Sequence, residues 1–212
     1  MTRFTRLVGG LALAAVLAAP LATQLAGPAN AQTDLTNQQI LQGLSGVTND
    51  DPSLTVELLR KMAQDAVAAN KPLSVDKSDI AKRLDKLAQI TVQIQFALNS
   101  SIIRPESYET LGAIADALHH PILWNYKFVV VGNTDTTGTR AYNLKLSQER
   151  ADAIVQALVV LYQVAPDRLQ ALGLGQEALQ VPSKPEDPIN RRVQIFNIGT
   201  MAPMPKGFTN PQ

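Results

Sequence analysis

Cysteine is absent from this 212-residue chain, histidine occurs twice and tryptophan once. The missing thiols exclude disulfides, a thiolate nucleophile, cysteine metal sites and lipidation through a cysteine acceptor. Such a chain must stand on its apolar core, and 45% hydrophobic residues suffice for one core of ordinary size. An excess of charge of one sign is also lacking: 19 Lys+Arg face 18 Asp+Glu, with no basic run. Nothing in the composition therefore supports nucleic-acid binding or a polybasic membrane patch. The one long hydrophobic run covers residues 7–25 and is interrupted by Pro20, Thr23 and Gln24.

That run follows Arg3 and Arg6 and precedes Ala29-Asn30-Ala31. A charged region, an apolar region and a small-x-small site in this order are those of a secretory signal peptide. The expectation is a signal at 1–31, a mature chain starting at Gln32, and a periplasmic protein without a transmembrane segment after cleavage. Removing Arg3 and Arg6 from the 19 basic residues leaves 17 against 18 acidic ones, a formal net of −1.

After the signal, the apolar spacing predicts short amphipathic helices over 33–46 (Ile40, Leu41, Leu44), 53–70 (Leu54, Leu58, Met62, Val67, with Asp51-Pro52 as a start) and 76–89. From Ile90 the period changes to two, with Ile90, Val92, Ile94 and Phe96 facing one way. This predicts a half-buried strand. Residues 104–121 read as a helix with the stripe Leu111, Ile114, Ala115 and Leu118, and 126–132 as an interior strand covered on both faces. A helix from about Ala141 carries Leu146, Ile154, Leu158 and Leu161 inward. Residues 167–175 and 191–198 read as strands, 182–188 as a loop and 200–212 as a tail. The order predicts an α/β two-layer sandwich, βαβαβ-β, preceded by a short helical segment at 32–87.

Chemistry gathers at the strand-to-helix junction "GNTDTTG", residues 132–138, beyond the carboxyl end of a strand. On the following helix Asn143, Leu146, Ser147 and Arg150 share one face. A guanidinium on the edge of an apolar stripe needs an anion, and helical side chains lean toward the amino end, so Arg150 reaches toward Asp135. The spacing alone leaves two readings open, an internal Asp135–Arg150 bridge or a site for a ligand bearing both charges.

The stretch "GNTDTTGTRAYNLKLSQERADAIVQAL" resembles the signature of the OmpA-like carboxy-terminal domain, found also in peptidoglycan-associated lipoproteins and flagellar stator proteins. "IQFALNSSIIRPES" is similar to that family's first strand and loop, and "NRRVQI" to its last strand, so the resemblance covers roughly 88–199. It implies an OmpA-like fold and non-covalent binding of peptidoglycan through the meso-diaminopimelate residue of the stem peptide. By motif position it implies that Asp135 meets the ligand's ammonium and Arg150 its carboxylate, with Thr134, Asn143, Leu146 and Arg191 lining the site. Other envelope proteins are further candidate partners. Asn133 stands where the family usually has His, and Gln176 where it usually has Glu.

No cofactor, metal or catalytic residue is called for. His119 and His120 point about 100° apart on a helix and have no further His or Cys to join them. Glu106, Glu109 and Asp116 read as a solvated face rather than a glycosidase pair, and neither a nucleophile elbow nor a phosphate loop is present. The alternative to peptidoglycan binding is a structural or partner-binding periplasmic protein that keeps the fold without the ligand.

Overall fold

The structure is a computed structural model that describes residues 35–46 and 54–201. The expected signal segment, the Asp51-Pro52 helix start and the tail beyond Met201 lie outside the described residues. Helix α1 (Asn37–Leu44) begins at a capping box, with the Thr36 hydroxyl accepting from the Gln39 amide and the Gln39 side chain accepting from the Thr36 amide. Thr55 caps α2 (Val56–Ala69), and Ser78 caps the short α3 (Asp79–Leu84).

Strand β1 (Gln89–Val92) is shorter than its alternation suggests. Ile90 and Val92 are buried as expected, but past Val92 the chain leaves the ladder and folds back on itself at an isolated bridge between Phe96 and Ile103. A 3-10 turn at Pro105–Ser107 leads into α4 (Tyr108–His119), whose expected stripe of Leu111, Ile114, Ala115 and Leu118 is fully buried. Strand β2 (Tyr126–Asn133), helix α5 (Arg140–Val160), strand β3 (Leu169–Gly175) and strand β4 (Val193–Thr200) complete the chain.

The four strands form one mixed sheet in the order β1-β4-β2-β3. β2 and β3 are parallel, as the α5 crossover between them requires, and β4 runs antiparallel to both β1 and β2. Successive side chains of β2 point to opposite faces. Phe128 and Val130 join a core with α1, α4 and α5, whereas Val129 and Val131 join a second core with α2 and α3. Two layers, sheet plus α4 and α5 with α1 beside them, make one side of the fold, and α2 and α3 add a third layer on the opposite face. This is why β2 reads as a continuous apolar run.

Two expectations are corrected here. The buried stripe of α2 is Val56, Leu59 and Ala63, with Leu58, Met62 and Val67 only half-buried beside it. Leu161 is exposed, because α5 ends at Val160 and Leu161 caps it.

At the carboxyl end of β2 and β3, α5 lies directly on the strands. A Cβ on Gly132 would sit 2.4 Å from the Ser147 carbonyl oxygen, and one on Gly173 would sit 2.2 Å from the Gln148 amide nitrogen. Only glycine admits such an approach. It fixes the height of α5, and of Arg150 upon it, above the end of the sheet.

Candidate functional site

The loop after β2 is held open by its own backbone and by its neighbours. Asn133 N donates to the Arg192 carbonyl and Thr134 N to the Gly175 carbonyl at 2.8 Å, while Thr136 N donates to the Pro185 carbonyl. Asn143, buried on the first turn of α5, donates to the Asp135 carbonyl at 3.2 Å and to Gln176 Oε1 at 2.9 Å. Asn143 is thus a fastener of the loop, and its side-chain amide is committed to protein atoms. Leu146 and Ser147 continue the same helix face; Leu146 is buried, and the Ser147 hydroxyl accepts from the Gly175 amide.

Asp135 is 1% exposed and fully engaged. One carboxylate oxygen accepts from the Thr137 amide at 2.9 Å and from the Thr137 hydroxyl; the other receives Arg191 Nη1 at 2.5 Å. Burial raises its pKa, but the hydrogen bonds from Thr137 and Arg191 outweigh it and hold the carboxyl below its usual range. Asp135 is therefore anionic at neutral pH. Thr134 Oγ1 and Asn133 Oδ1, next to it, are buried without a hydrogen-bond partner.

Arg150 is half-buried. Its Nε donates to the Ser100 carbonyl at 3.0 Å, and the guanidinium lies 4.9 Å from the centre of the Phe96 ring. Burial lowers its pKa and nearby Arg191 adds to this, while Tyr142 and Asp135 oppose it. Guanidinium remains a cation at any such shift. Among the described residues no carboxylate forms an ion pair with Arg150, so the internal Asp135–Arg150 bridge is not what the structure shows. Asp135 is paired across the chain with Arg191 instead.

The loop that delivers Arg191 is organised by Asn190, which is fully buried. Its amide donates to the Lys184 and Pro185 carbonyls, and its oxygen accepts from the Val181 amide. Arg192, the next residue, points inward, donates to the Ala178 carbonyl at 2.9 Å, and is lowered to about 10 by burial, with Asp85 opposing. Asn190, Thr137 and Gln176 were not anticipated as parts of the site. Their signal was weak, because Thr137 and Asn190 fasten their own loops without any periodic pattern, and Gln176 acts through the Asn143 side chain 33 residues away. His119 Nε2 lies 3.5 Å from the Gln163 carbonyl, and Glu106, Glu109 and Asp116 are exposed.

Two guanidiniums and one carboxylate thus converge where β2, α5 and the loop before β4 meet, in the segment that also matches a known family. A family profile described as "OmpA family" matches residues 95–192. That segment is similar to the OmpA family. The chain is 34% identical over 111 residues to "Outer membrane porin F" of Pseudomonas fluorescens, covering 51% of this chain and 33% of that protein. It is 35% identical over 102 residues to the "Peptidoglycan-associated lipoprotein" of Pseudomonas putida, covering 47% and 59%. Among solved structures it is similar to the peptidoglycan-associated lipoprotein from Burkholderia pseudomallei, at 30% identity and a TM-score of 0.40, covering 49% of this chain and 87% of that one. The chain spans between about a third and three-fifths of the length of these curated relatives.

Proposed function

We propose that this chain binds peptidoglycan non-covalently through the diaminopimelate residue of the stem peptide, and so tethers or organises the cell envelope from the periplasm after removal of residues 1–31. The reading rests on one observation. A preorganised anion, Asp135, and a half-buried guanidinium with no ion partner among the described residues, Arg150, flank the end of β2 in a domain shared with proteins named as peptidoglycan-associated. The side-chain end of diaminopimelate is a zwitterion, with an ammonium for Asp135 and a carboxylate for Arg150. Charge-assisted hydrogen bonds of both signs give orientation as well as energy, and a site already held in place loses little to ordering.

Sedimentation with purified diaminopimelate-type sacculi tests this. Asp135→Ala and Arg150→Ala each leave one ligand charge desolvated without its partner, a cost on the order of 2–5 kcal/mol. The expected loss of affinity is about thirty-fold or more, with circular dichroism unchanged. If both variants sediment like the parent, the Asp135–Arg191 pair serves only to pin two loops, and the domain is a structural or partner-binding one.

A further inference from the structure

Among the described residues the site brings together two guanidiniums and one carboxylate, and that carboxylate is already paired. An ammonium cannot reach the Asp135 oxygen held by Arg191 without displacing or sharing that guanidinium, which sits 2.5 Å away. Arg191 can move. Its side chain is 49% exposed, whereas that of Asp135 is 2% exposed, and the Asn190 anchor holds the backbone before it, not the side chain. Arg150 cannot take its place on Asp135 so easily, because the Ser100 carbonyl and the Phe96 ring hold it.

Resting on the peptidoglycan-binding reading, we infer that Arg191 is an exchangeable counter-ion, which neutralises Asp135 in the free protein and, when a ligand ammonium displaces it, moves onto a second carboxylate of the same ligand. The site then selects a segment with one ammonium and two free carboxylates, three charges complementary to those of Asp135, Arg150 and Arg191. Diaminopimelate whose backbone-end carboxyl is free has this pattern; amidation of that carboxyl removes one charge. The electrostatics of the free site agree, since Arg191 and Arg150 repel one another and both gain from added negative charge.

The test is calorimetry on the parent and Arg191→Gln with two synthetic stem peptides ending in diaminopimelate. One has every carboxylate free; the other carries a primary amide at the carboxyl remote from the side-chain ammonium. The parent is expected to prefer the free form by about three- to five-fold, the scale of a part-exposed ion pair. In Arg191→Gln the free form should weaken by a similar factor, while the amidated form binds at least as tightly as it does to the parent, because Asp135 no longer has a competitor. Equal loss for both peptides would make Arg191 a loop pin. Equal gain would make it a competitor that reads no carboxylate, and no change would remove it from the site; each of these overturns the inference while leaving the proposed function intact. A parent that binds neither peptide overturns the proposed function and the inference with it. Carboxyl carbon shifts of Asp135 guard against a folding artefact, since in a folded Arg191→Gln its pKa must rise in the free protein.

Discussion

Asp135 shows how a single residue's surroundings set the pH range of the whole site. Its folded-state pKa lies below the ordinary carboxylate value of about 3.9, with burial opposing and the Thr137 and Arg191 hydrogen bonds prevailing. For a depressed carboxylate the stabilisation is fully present above the unfolded-state value and disappears as pH falls through the folded-state value. Melting temperature should therefore be insensitive to this group at neutral pH and decline only below about pH 4. In Asp135→Asn that part of the acid-side decline should be missing, and in Arg191→Gln it should be smaller and complete at higher pH. Thermal melts between neutral and acid pH check both, and a parent curve identical to that of Asp135→Asn would mean that the carboxylate gains nothing from its partners. A second buried charge serves the fold alone. Arg168, 4% exposed, donates to the Leu118, Leu123 and Tyr126 carbonyls and lies between the Trp124 and Phe128 rings. Hydrogen bonds from a charged donor contribute roughly 1.5–3 kcal/mol each, so Arg168→Ala should lower stability by at least about 3 kcal/mol while leaving the distant Asp135 loop intact.

At the scale of elements, the height of α5 above the sheet is what joins the strand-borne carboxylate to the helix-borne guanidinium. Gly173→Ala forces a methyl group against the Gln148 backbone, which cannot yield without lifting the helix. The expected cost is about 1–3 kcal/mol, together with weaker sacculus binding, because Arg150 rides on the same helix. Gly112 in α4 is a matched control, since its added Cβ would lie 3.5 Å from the Tyr162 ring in ordinary contact. Gly112→Ala should be neutral or stabilise the protein by up to about 1 kcal/mol. Denaturant midpoints of the two variants compare them directly, and equal midpoints would show that α5 is free to shift. Elements of this kind were largely legible in the sequence. The α4 stripe and the alternation at Ile90 and Val92 follow from periods that local geometry imposes. The phase of α2 was not legible, because Leu54, Leu58 and Met62 recur at helical spacing as well as Val56, Leu59 and Ala63 do, and only the face of the sheet decides between them. The pairing of Asp135 was equally hidden. Its partner lies 56 residues away in a loop whose course is set by Asn190, and no periodicity points there.

For the whole molecule, the question is whether the N-terminal helices are an appendage or part of the fold. Val56, Leu59, Ala63, Ile80 and Leu84 pack on Val129, Val131, Leu172, Leu174 and Phe196, all of which lie in β2, β3 and β4. The polar contacts agree. Arg140 at the start of α5 pairs with buried Glu177 through two hydrogen bonds, and it also donates to the Lys71 carbonyl. The Ser78 hydroxyl donates to the Glu177 carbonyl. Glu177 follows Gln176, which holds Asn143 and through it the Asp135 loop. A buried amide chain, Asn133 to Gln194 to Gln89, runs from the same loop toward the Leu84 carbonyl of α3. The third layer therefore covers one face of the sheet and braces the Asp135 loop from behind. Removing residues 1–87 would expose five large apolar side chains of the sheet, each worth roughly 1.5–3 kcal/mol when fully buried. Their sum, on the order of 10 kcal/mol, is comparable to the entire stability of an ordinary domain. A chain of 88–212 is thus expected to aggregate or to lack a cooperative melt, whereas 33–212 melts cooperatively and binds sacculi. If 88–212 instead unfolds cooperatively near the temperature of the longer form, the helices contribute nothing to the fold, and their apolar faces must serve another partner.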